Sequence, residues 1–271
     1  MMRLILRAWR RNAYLYRRIM GQNLRAALEY QSDFLLSVGS AMLTQGLGLV
    51  FLGVVFSLIP SINGWSFWQI VFIYASIFLT EGFASLFFEG TWRIGYLVNH
   101  GELDRILLRP VSPAVQLLSS AIGMNGIGNL LVGGVMVGEA LTHVHMVWTP
   151  GKILFTVVLL LSGIVIRTSI NFASNCSAFW VKNAGNAVPF MVHSISEFAK
   201  YPLTIYAPAL QALIGIVVPY AFIGYVPAGY VFSTSGMAWI AVLCPLVALY
   251  CAAVAGLILR TGLRQYESTG N

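Results

Sequence analysis

Charged residues are scarce in this sequence. Asp, Glu, Lys and Arg together make up only 9% of its 271 residues, whereas a soluble domain carries about 25%. Hydrophobic residues account for 58%. So few charges cannot cover a water-facing surface, which excludes a soluble globular protein. The composition therefore predicts that lipid surrounds most of the folded chain.

Motifs for catalysis and ligand binding are also missing. The three cysteines stand in apolar stretches without the spacing of a disulfide or a metal site. The sequence has no Gly-x-x-x-x-Gly-Lys-Ser/Thr phosphate loop, and neither a Ser/His/Asp nor a His-Glu-x-x-His arrangement. We predict a protein that is not an enzyme and has no catalytic, cofactor-binding or metal-binding residues of its own. Any energised work would draw on another chain or on an ion gradient.

Residues 1–31 predict a helix that lies in the membrane interface. When each residue advances by about 100°, seven arginines fall on one side of this helix, and apolar residues such as Trp9 fall on the other. The arginines would face anionic headgroups, while the apolar side would enter the acyl boundary. A basic helix bound to a soluble partner is the alternative. The seven arginines are Arg3, Arg7, Arg10, Arg11, Arg17, Arg18 and Arg25.

The rest of the chain, residues 32–271, predicts an all-α membrane domain with six spans. The candidates are apolar, and a helix needs about 20 such residues to cross a bilayer. Gly134 and Gly138, four residues apart in the third candidate, favour close approach of a neighbouring helix. The six candidate spans are residues 34–59, 68–88, 114–138, 152–180, 187–200 and 236–259.

The basic residues predict the orientation of these spans. With the N-terminus inside, most of the 16 lysines and arginines fall on the cytoplasmic side, the exceptions being Lys152, Lys200 and the intramembrane Arg167. Cytoplasmic loops of membrane proteins carry such an excess of positive charge. We therefore expect a multi-pass protein of the bacterial inner membrane with both termini in the cytoplasm. The same rule explains the net charge of +7 without nucleic acid.

A short charged segment, residues 89–113, separates the second and third candidate spans. Its core begins at Gly101 and reads Gly-Glu-Leu-Asp-Arg-Ile-Leu-Leu-Arg-Pro-Val-Ser-Pro, in which the prolines stop a helix. This core suits contact with a partner protein, because it contains two acidic residues, two arginines four apart and an apolar anchor of Leu103, Ile106 and Leu107. An ordinary solvated loop is the alternative. The predicted contact residues are Gly101, Glu102, Leu103, Asp104, Arg105, Ile106, Leu107 and Arg109.

Residues 201–233 form a second unusual segment, which is apolar but repeatedly broken by proline. Four prolines prevent one straight helix, while the hydrophobic composition argues against a solvated loop. Short re-entrant helices fit both features, because irregular backbone at membrane depth must be covered by protein or line a cavity. The residues assigned to this outer segment are Tyr201, Pro202, Pro208, Pro219, Phe222 and Pro227.

Two opposite charges lie inside candidate spans at similar depth. Glu81 stands in the second span and Arg167 in the fourth, and either charge alone at that depth costs about 3 kcal/mol or more. We predict an ion pair between them, with Glu197 or Glu89 as the alternative partner. His193 and Glu197, four residues apart in the fifth span, either line a pathway or form a satisfied pair on one helix face.

The charged segment and the proline-broken segment together resemble the ABC-2 type transporter permeases, the membrane subunits of type V ABC exporters. The resemblance implies that residues 101–113 form a coupling helix seated on a separate ATPase, and that residues 1–31 form an elbow helix beside it. Residues 201–233 would close the exit as an outer gate. The runs that carry this second part are Tyr201-Pro202-Leu203-Thr204-Ile205-Tyr206, Val218-Pro219-Tyr220-Ala221-Phe222 and Tyr225-Val226-Pro227-Ala228.

The resemblance also implies partners and a function. Two ABC ATPase subunits would hold ATP and Mg, and a second permease, either a different chain or another copy of this one, would complete the transporter. The leading interpretation is a permease subunit of an ATP-driven exporter of an amphipathic or hydrophobic substrate. A proton-coupled secondary transporter that uses Glu81, His193 and Glu197 is the alternative. A membrane anchor without transport is a third interpretation.

Overall fold

The computed structural model describes residues 2–143, 147–181, 186–232 and 237–267, without the side chains of residues 2–9 and 238. These residues are predominantly helical and include no sheet, as the all-α prediction requires. The first helices are α1 Met2–Glu29, α2 Gln31–Leu58, α3 Phe67–Phe88, α4 Ile94–Asn99, α5 Leu103–Leu107, α6 Pro113–Leu118 and α7 Asn125–Thr142. The later helices are α8 Pro150–Asn175, α9 Ala187–Phe198, α10 Pro208–Ala212, α11 Tyr225–Val231, α12 Met237–Ala241 and α13 Cys244–Gln265.

Four helical stretches of the described residues are long and apolar enough to cross a membrane. A fifth crossing is added if Pro208–Val217 and Tyr220–Val231, which are bent by 72° relative to each other, act as one broken span. The four stretches are Gln31–Leu58, Phe67–Asn99, Pro150–Phe179 and Trp239–Gln265. Six spans therefore remain a prediction, whereas a multi-pass helical fold is confirmed.

Two of the predicted spans differ from the helices observed. The candidate over residues 114–138 is interrupted between α6 and α7, where residues 119–124 leave the helix. The candidate over residues 187–200 becomes α9, which has 12 residues and reaches about 18 Å at 1.5 Å per residue. The hydrocarbon core is about 30 Å thick, so α9 alone is too short to cross it. The predicted sixth span starts at Gly236, which lies outside the described residues.

Helix α3 occupies the centre of the molecule and α2 its edge. In the stretch that contains α3, 72% of the most apolar part is buried inside the protein. In α2 the corresponding share is only 11%. α7 runs antiparallel to α3, because Gly126 at its start lies against Gly82 and Gly133 lies against Leu79. On the other side of α3, α8 and α13 run parallel to each other, and their carboxyl ends share one hydrophobic cluster.

The two unusual segments lie at opposite ends of this bundle. At one end, α1 contacts the end of α3 through the Tyr16 hydroxyl, which donates to the carbonyl of Phe87. Leu103 of the charged segment and Leu259 of α13 belong to one cluster at the same end. At the other end, the rings of Trp65 and Tyr225 lie 5.3 Å apart. Helix α1, the carboxyl end of α13 and the charged segment thus share one end of the bundle. The side of the membrane that this end faces stays a prediction.

Helix α1 is separate from α2, and its arginines face away from the bundle. The chain breaks at Tyr30, whose φ and ψ of −95° and 76° are not helical. The arginines described with side chains are exposed, whereas Met20 is buried, which matches an amphipathic helix. The side chains of Arg3, Arg7 and Trp9 lie outside the described residues. The position of α1 in a membrane interface remains a prediction.

Close packing of α3 and α7 depends on glycines that differ from those expected. Gly134 and Gly138, the predicted contact pair, have open space where a side chain would stand. A Cβ atom on Gly126 would instead stand 2.7 Å from the carbonyl oxygen of Gly82, and one on Gly82 would stand 2.9 Å from that of Gly126. The prediction of a close approach in this span is right in kind, but the residues are different ones.

We expect Gly126→Val to destabilise the protein, because the added side chain would overlap the α3 backbone. Overpacking of this kind costs about 1–3 kcal/mol in the free energy of unfolding. Thermal unfolding of the detergent-purified protein measures the loss. Gly134→Val, on the same helix, is the matched control and should shift the unfolding free energy by less than about 0.5 kcal/mol. Equal destabilisation by both variants would contradict this account of the α3–α7 contact.

Candidate functional site

The charged segment folds as short helices joined by tight turns. α4 ends at Asn99, Gly101 makes the following turn with a φ of +70°, and α5 covers only Leu103–Leu107. Glycine adopts this φ without steric cost, so Gly101 permits the sharp entry into α5. Arg109 lies beyond the end of α5. The two arginines, four residues apart, therefore do not both stand within α5.

Exposure separates the predicted contact residues into two groups. Leu103, expected to anchor a partner, is completely buried within the chain itself. Arg105, Leu107 and Arg109 are exposed. The most exposed apolar residue of this surface is Leu108, 85% of which is accessible, although the predicted contact residues did not include it. These four exposed residues form a surface that we call the tip.

The remaining predicted contact residues hold the segment to its own protein. The carbonyl of Ile106 accepts a hydrogen bond from the Gln116 amide at 3.0 Å, and Glu102 is half-buried. The Asp104 carboxylate lies beside the phenol of Tyr266, which follows α13. Burial, assisted by this carboxylate, raises the pKa of Tyr266 to about 12. The segment is therefore fastened to the C-terminal helix as well as to α6.

The buried side of this segment belongs to a hydrophobic cluster shared by several helices. Leu103 is in one cluster with Leu117 of α6, Phe172 of α8 and Leu259 of α13. Tyr266 packs at the edge of the same cluster. Because packed side chains transmit displacement, a force on the tip would reach the ends of α8 and α13.

Glu81 and Arg167 are brought together inside the bundle. A guanidinium nitrogen of Arg167 on α8 pairs with the carboxylate of Glu81 on α3. Arg167 exposes only 2% of its side chain, and Glu81 exposes 18%. The alternative partners make other contacts: Glu89 accepts a hydrogen bond from Ser85 at 2.8 Å, and Glu197 pairs with Lys200 at 2.5 Å. The contact predicted from matching depth is present, while its role stays a prediction.

Arg167 also contacts the proline-broken segment. Its guanidinium carbon lies 5.6 Å from the ring centroid of Tyr220, a distance at which a cation is attracted to an aromatic face. Its Nη2 atom donates to the hydroxyl of Ser196 on α9 at 3.5 Å. One arginine thus joins α3, α8, α9 and the segment over residues 201–232. The sequence interpretation missed the roles of Tyr220 and Ser196, because no spacing along the chain relates them to residue 167.

The proline-broken segment has the irregular backbone that its sequence predicts. Pro208 begins α10, a π-helical turn over Leu213–Val217 follows, and Pro219 stands at the bend of 72°. Pro227 lies within the first turn of α11, where proline is tolerated.

The other residues assigned to this segment occupy its start and its middle. Tyr201 and Pro202 precede a short 3-10 turn, and Phe222 ends another. Phe222 packs at the edges of two hydrophobic clusters, one of which contains Tyr225 and the other Tyr220. The part of the segment from Pro219 onward is therefore packed against the bundle, whereas Ile216 and Val217 before it are exposed.

His193 and Glu197 of α9 each have a contact with another residue. Among the described residues, Glu197 pairs with Lys200, while the ring of His193 packs edge-on against Trp92 at 5.6 Å. The Lys200 ammonium also lies 4.5 Å from the ring centroid of Phe78. A satisfied pair on one helix face and a role of these residues in a pathway both stay predictions.

A comparison with protein families adds an independent observation. A family model described as ABC-2 family transporter protein matches residues 42–270, which is most of the chain. The chain belongs to this family. The resemblance noted from the charged and proline-broken segments is thereby confirmed. Neither a curated protein nor a solved structure matches the chain.

Membership of the ABC-2 family assigns the chain its general role. It is a multi-pass permease subunit of an ABC transporter, and the family implies association with ABC ATPase components. Metal-binding clusters of His, Cys, Asp or Glu do not occur within the residues that the structure describes. Three features of the structure suit a role in this permease: the tip, the Glu81–Arg167 pair and the proline-broken segment.

We expect replacement of one member of the ion pair to destabilise the permease more than replacement of both. Glu81→Leu leaves the Arg167 charge buried without its partner, which costs about 3–5 kcal/mol in the free energy of unfolding. The double variant Glu81→Leu/Arg167→Leu removes both charges and should recover most of that loss. Thermal unfolding measures the free energy of unfolding of the purified parent permease, of Glu81→Leu and of the double variant.

An exposed pair in the chain provides the control for this comparison. Glu139 lies 3.6 Å from His143, and the two side chains expose 56% and 41%, so solvent screens the interaction. Glu139→Leu should change the free energy of unfolding by less than about 1 kcal/mol. A double variant no more stable than Glu81→Leu would show that the buried charge is not the source of the loss.

Proposed function

We propose that this ABC-2 permease exports an amphipathic or hydrophobic substrate and that a separate ATPase drives it through the tip. The observation that supports this proposal is the tip itself, where Leu108 stands 85% exposed between Leu107 and Arg109. A large apolar side chain rimmed by arginine suits docking on another protein. ATP and Mg would be held by two ATPase subunits, and this chain would supply no catalytic residue.

The helical stretch Phe67–Asn99 leads from the charged segment to the middle of the molecule, and it consists of α3, a 3-10 turn over Glu89–Arg93 and α4. It ends within the charged segment and has Glu81 near its centre. We propose that ATP-driven closure of the ATPase displaces this stretch, and that Glu81 carries the displacement to Arg167.

From Arg167 the displacement would reach the proline-broken segment through Tyr220. We propose that this segment is the outer gate, which closes the exit until the displacement changes its bend. Two permeases would enclose the pathway, the second being a different chain or another copy of this one. The exposed apolar face of α2, with Leu43, Leu47 and Val54 among its exposed residues, would face that second permease or lipid.

We expect two single substitutions at the tip, each tested separately, to abolish binding of the ATPase without unfolding the permease. Arg109→Glu reverses an exposed charge, and Leu108→Asp removes the most exposed apolar side chain of this surface. Co-purification with the cognate ABC ATPase subunit from detergent should therefore fall to background for each variant. Thermal unfolding should stay within about 0.5 kcal/mol of the parent protein, because both residues are on the surface.

Lys152→Glu is the control, since it reverses a positive charge at the opposite end of the bundle and should leave co-purification unchanged. Retention of the ATPase by both tip variants would contradict docking at this surface. Transport by the purified permease alone, driven by a proton gradient, would favour the secondary transporter instead.

We expect Tyr220→Leu to disconnect the gate from ATP-driven movement, because it removes the ring beside Arg167. Spin labels at Val217→Cys on the gate and Val135→Cys on α7 report the distance between two exposed positions. The native cysteines, Cys176, Cys244 and Cys251, are buried. Addition of ATP to the assembled transporter should change this distance in the parent protein and not in Tyr220→Leu.

Tyr220→Phe is the matched control, since it keeps an aromatic ring beside the guanidinium. It should therefore retain the ATP-dependent change of distance. The same change in Tyr220→Leu as in the parent would exclude Tyr220 as the connection between Arg167 and the gate.

A further inference from the structure

A recess of about 230 Å³ lies on the exposed face of α1. Its lining consists of one glycine and four polar side chains, of which three are arginines. All of these residues are exposed. We call it the arginine recess, and its lining residues are Arg17, Arg18, Gly21, Gln22 and Arg25.

Gly21 leaves the space that forms the recess, and helix packing does not explain its presence. Glycine is less favourable than alanine inside a helix, yet Gly21 stands well within the 28 residues of α1. Apart from the backbone of its own helix, no described atom lies within 4 Å of the place where its Cβ would stand. No neighbouring helix therefore needs the missing side chain. The glycine instead permits a ligand to approach the backbone closely.

The arginines flank this glycine in both directions along the helix. Arg17 and Arg25 stand four residues before and after Gly21, and residues four apart are neighbours on a helix surface. Arg18 stands three residues before Gly21, and its guanidinium carbon lies 5.7 Å from the ring centroid of Tyr14. This ring does not neutralise the charge of Arg18. Three positive charges are thus placed within about one helical turn of the glycine.

The positive charge of the recess is not balanced by the described part of the chain. Glu29 is the sole acidic residue of α1. Neither Glu29 nor any other described carboxylate forms an ion pair with the three arginines. Like charges on neighbouring turns of a helix repel each other, so an anion between them would relieve that repulsion. A phosphate group suits the position, because a guanidinium donates two parallel hydrogen bonds to its oxygens.

Exposed apolar residues beside the recess indicate the source of the phosphate. Leu24 and Leu28 stand three and seven residues after Gly21 and therefore lie on the same side of the helix. Both leucines are exposed, as is Tyr14 on the preceding turns. A soluble phosphate would leave these side chains in water, whereas a phospholipid would cover them with its glycerol and acyl chains.

The opposite face of α1 is held to the bundle. The Tyr16 hydroxyl donates to the carbonyl of Phe87, and the Asn23 amide donates to the carbonyl of Ser119 at 2.8 Å. Along the chain, these two carbonyls stand on either side of the charged segment. The recess therefore faces outward at the end of the bundle that carries this segment.

We propose that the arginine recess binds the phosphate of an anionic phospholipid. The three arginines surround the phosphate oxygens, and Leu24 and Leu28 contact the glycerol and acyl chains. General attraction of α1 to a charged surface would involve all its arginines, whereas this site involves only the three around Gly21. It depends neither on the direction of transport nor on the ATPase, because this chain alone forms it.

Binding of short-chain lipids to the full-length permease in dodecyl maltoside tests the proposal. The salt concentration is about 0.15 M, at which exposed charges more than about 8 Å apart are largely screened. The probe is dioctanoyl phosphatidylglycerol, and the comparison is dioctanoyl phosphatidylcholine, whose trimethylammonium group adds a positive charge beside the phosphate. Microscale thermophoresis should give a dissociation constant about tenfold lower for phosphatidylglycerol. Glycerol phosphate at the same concentration should not displace it.

Gly21→Leu tests the recess itself, since it fills the space and keeps every charge. It should weaken the binding of phosphatidylglycerol by about tenfold. Gly39→Leu on α2 is the matched control, because Gly39 also has open space where its Cβ would stand, and it should leave the affinity unchanged. Neither variant should lower the unfolding temperature, since leucine favours a helix more than glycine does.

Two charge variants separate the recess from the general field of α1. Arg25→Gln removes a charge beside Gly21 and should weaken the binding of phosphatidylglycerol by about tenfold. Arg11→Gln removes the same charge from an exposed position ten residues before Gly21. Because salt screens a charge at that distance, the affinity should change by less than about twofold.

Four results would each overturn the proposal. Equal affinity for phosphatidylglycerol and phosphatidylcholine would show that negative charge is not selected. Unchanged affinity in Gly21→Leu would show that the lipid binds elsewhere. Equal weakening by Arg11→Gln and Arg25→Gln would indicate a diffuse surface field only. Displacement by glycerol phosphate would assign the recess to a soluble phosphate compound instead of a lipid.

Discussion

A guanidinium and a carboxylate meet inside the helix bundle, and the arrangement of the surrounding helices depends on that contact. Arg167 exposes 2% of its side chain. Burying an unpaired charge in such an interior costs several times the free energy that a typical contact contributes. α3 and α8 therefore cannot slide past each other without separating Glu81 from its partner. The contact with Tyr220 extends this constraint to the proline-broken segment, whose own backbone hydrogen bonding is irregular.

The bundle also separates two kinds of surface. At one end, short helices with tight turns display exposed side chains such as Leu108 and Arg109 while Leu103 enters a cluster shared with α8 and α13. At the opposite end, the rings of Trp65 and Tyr225 pack together, and the residues from Pro219 to Gly229 are largely buried. A central helix with an exposed surface at one end and a bent segment at the other suits the transmission of a displacement that we propose for this ABC-2 permease.

Much of this architecture was open to prediction, because its causes act locally along the chain. Low charge and long apolar runs predict helices in lipid, and proline spacing predicts the irregular segment. The depth of Glu81 and Arg167 within their spans predicts their contact, since burial of either charge alone is costly.

The candidate site was only partly predictable. Leu103 and Leu108 look equivalent in the sequence, but α5 ends at Leu107, so one faces the core and the other faces outward.

By itself, the sequence determined the class of the protein, the positions of its unusual segments and the need for a buried counter-charge. These properties follow from composition, periodicity and the cost of charge in lipid, which depend little on neighbouring helices. Only the tertiary structure decided which glycines touch, which leucine is exposed and which ring lies beside Arg167. Those choices depend on distances between helices far apart in the chain, and no spacing within one helix specifies them.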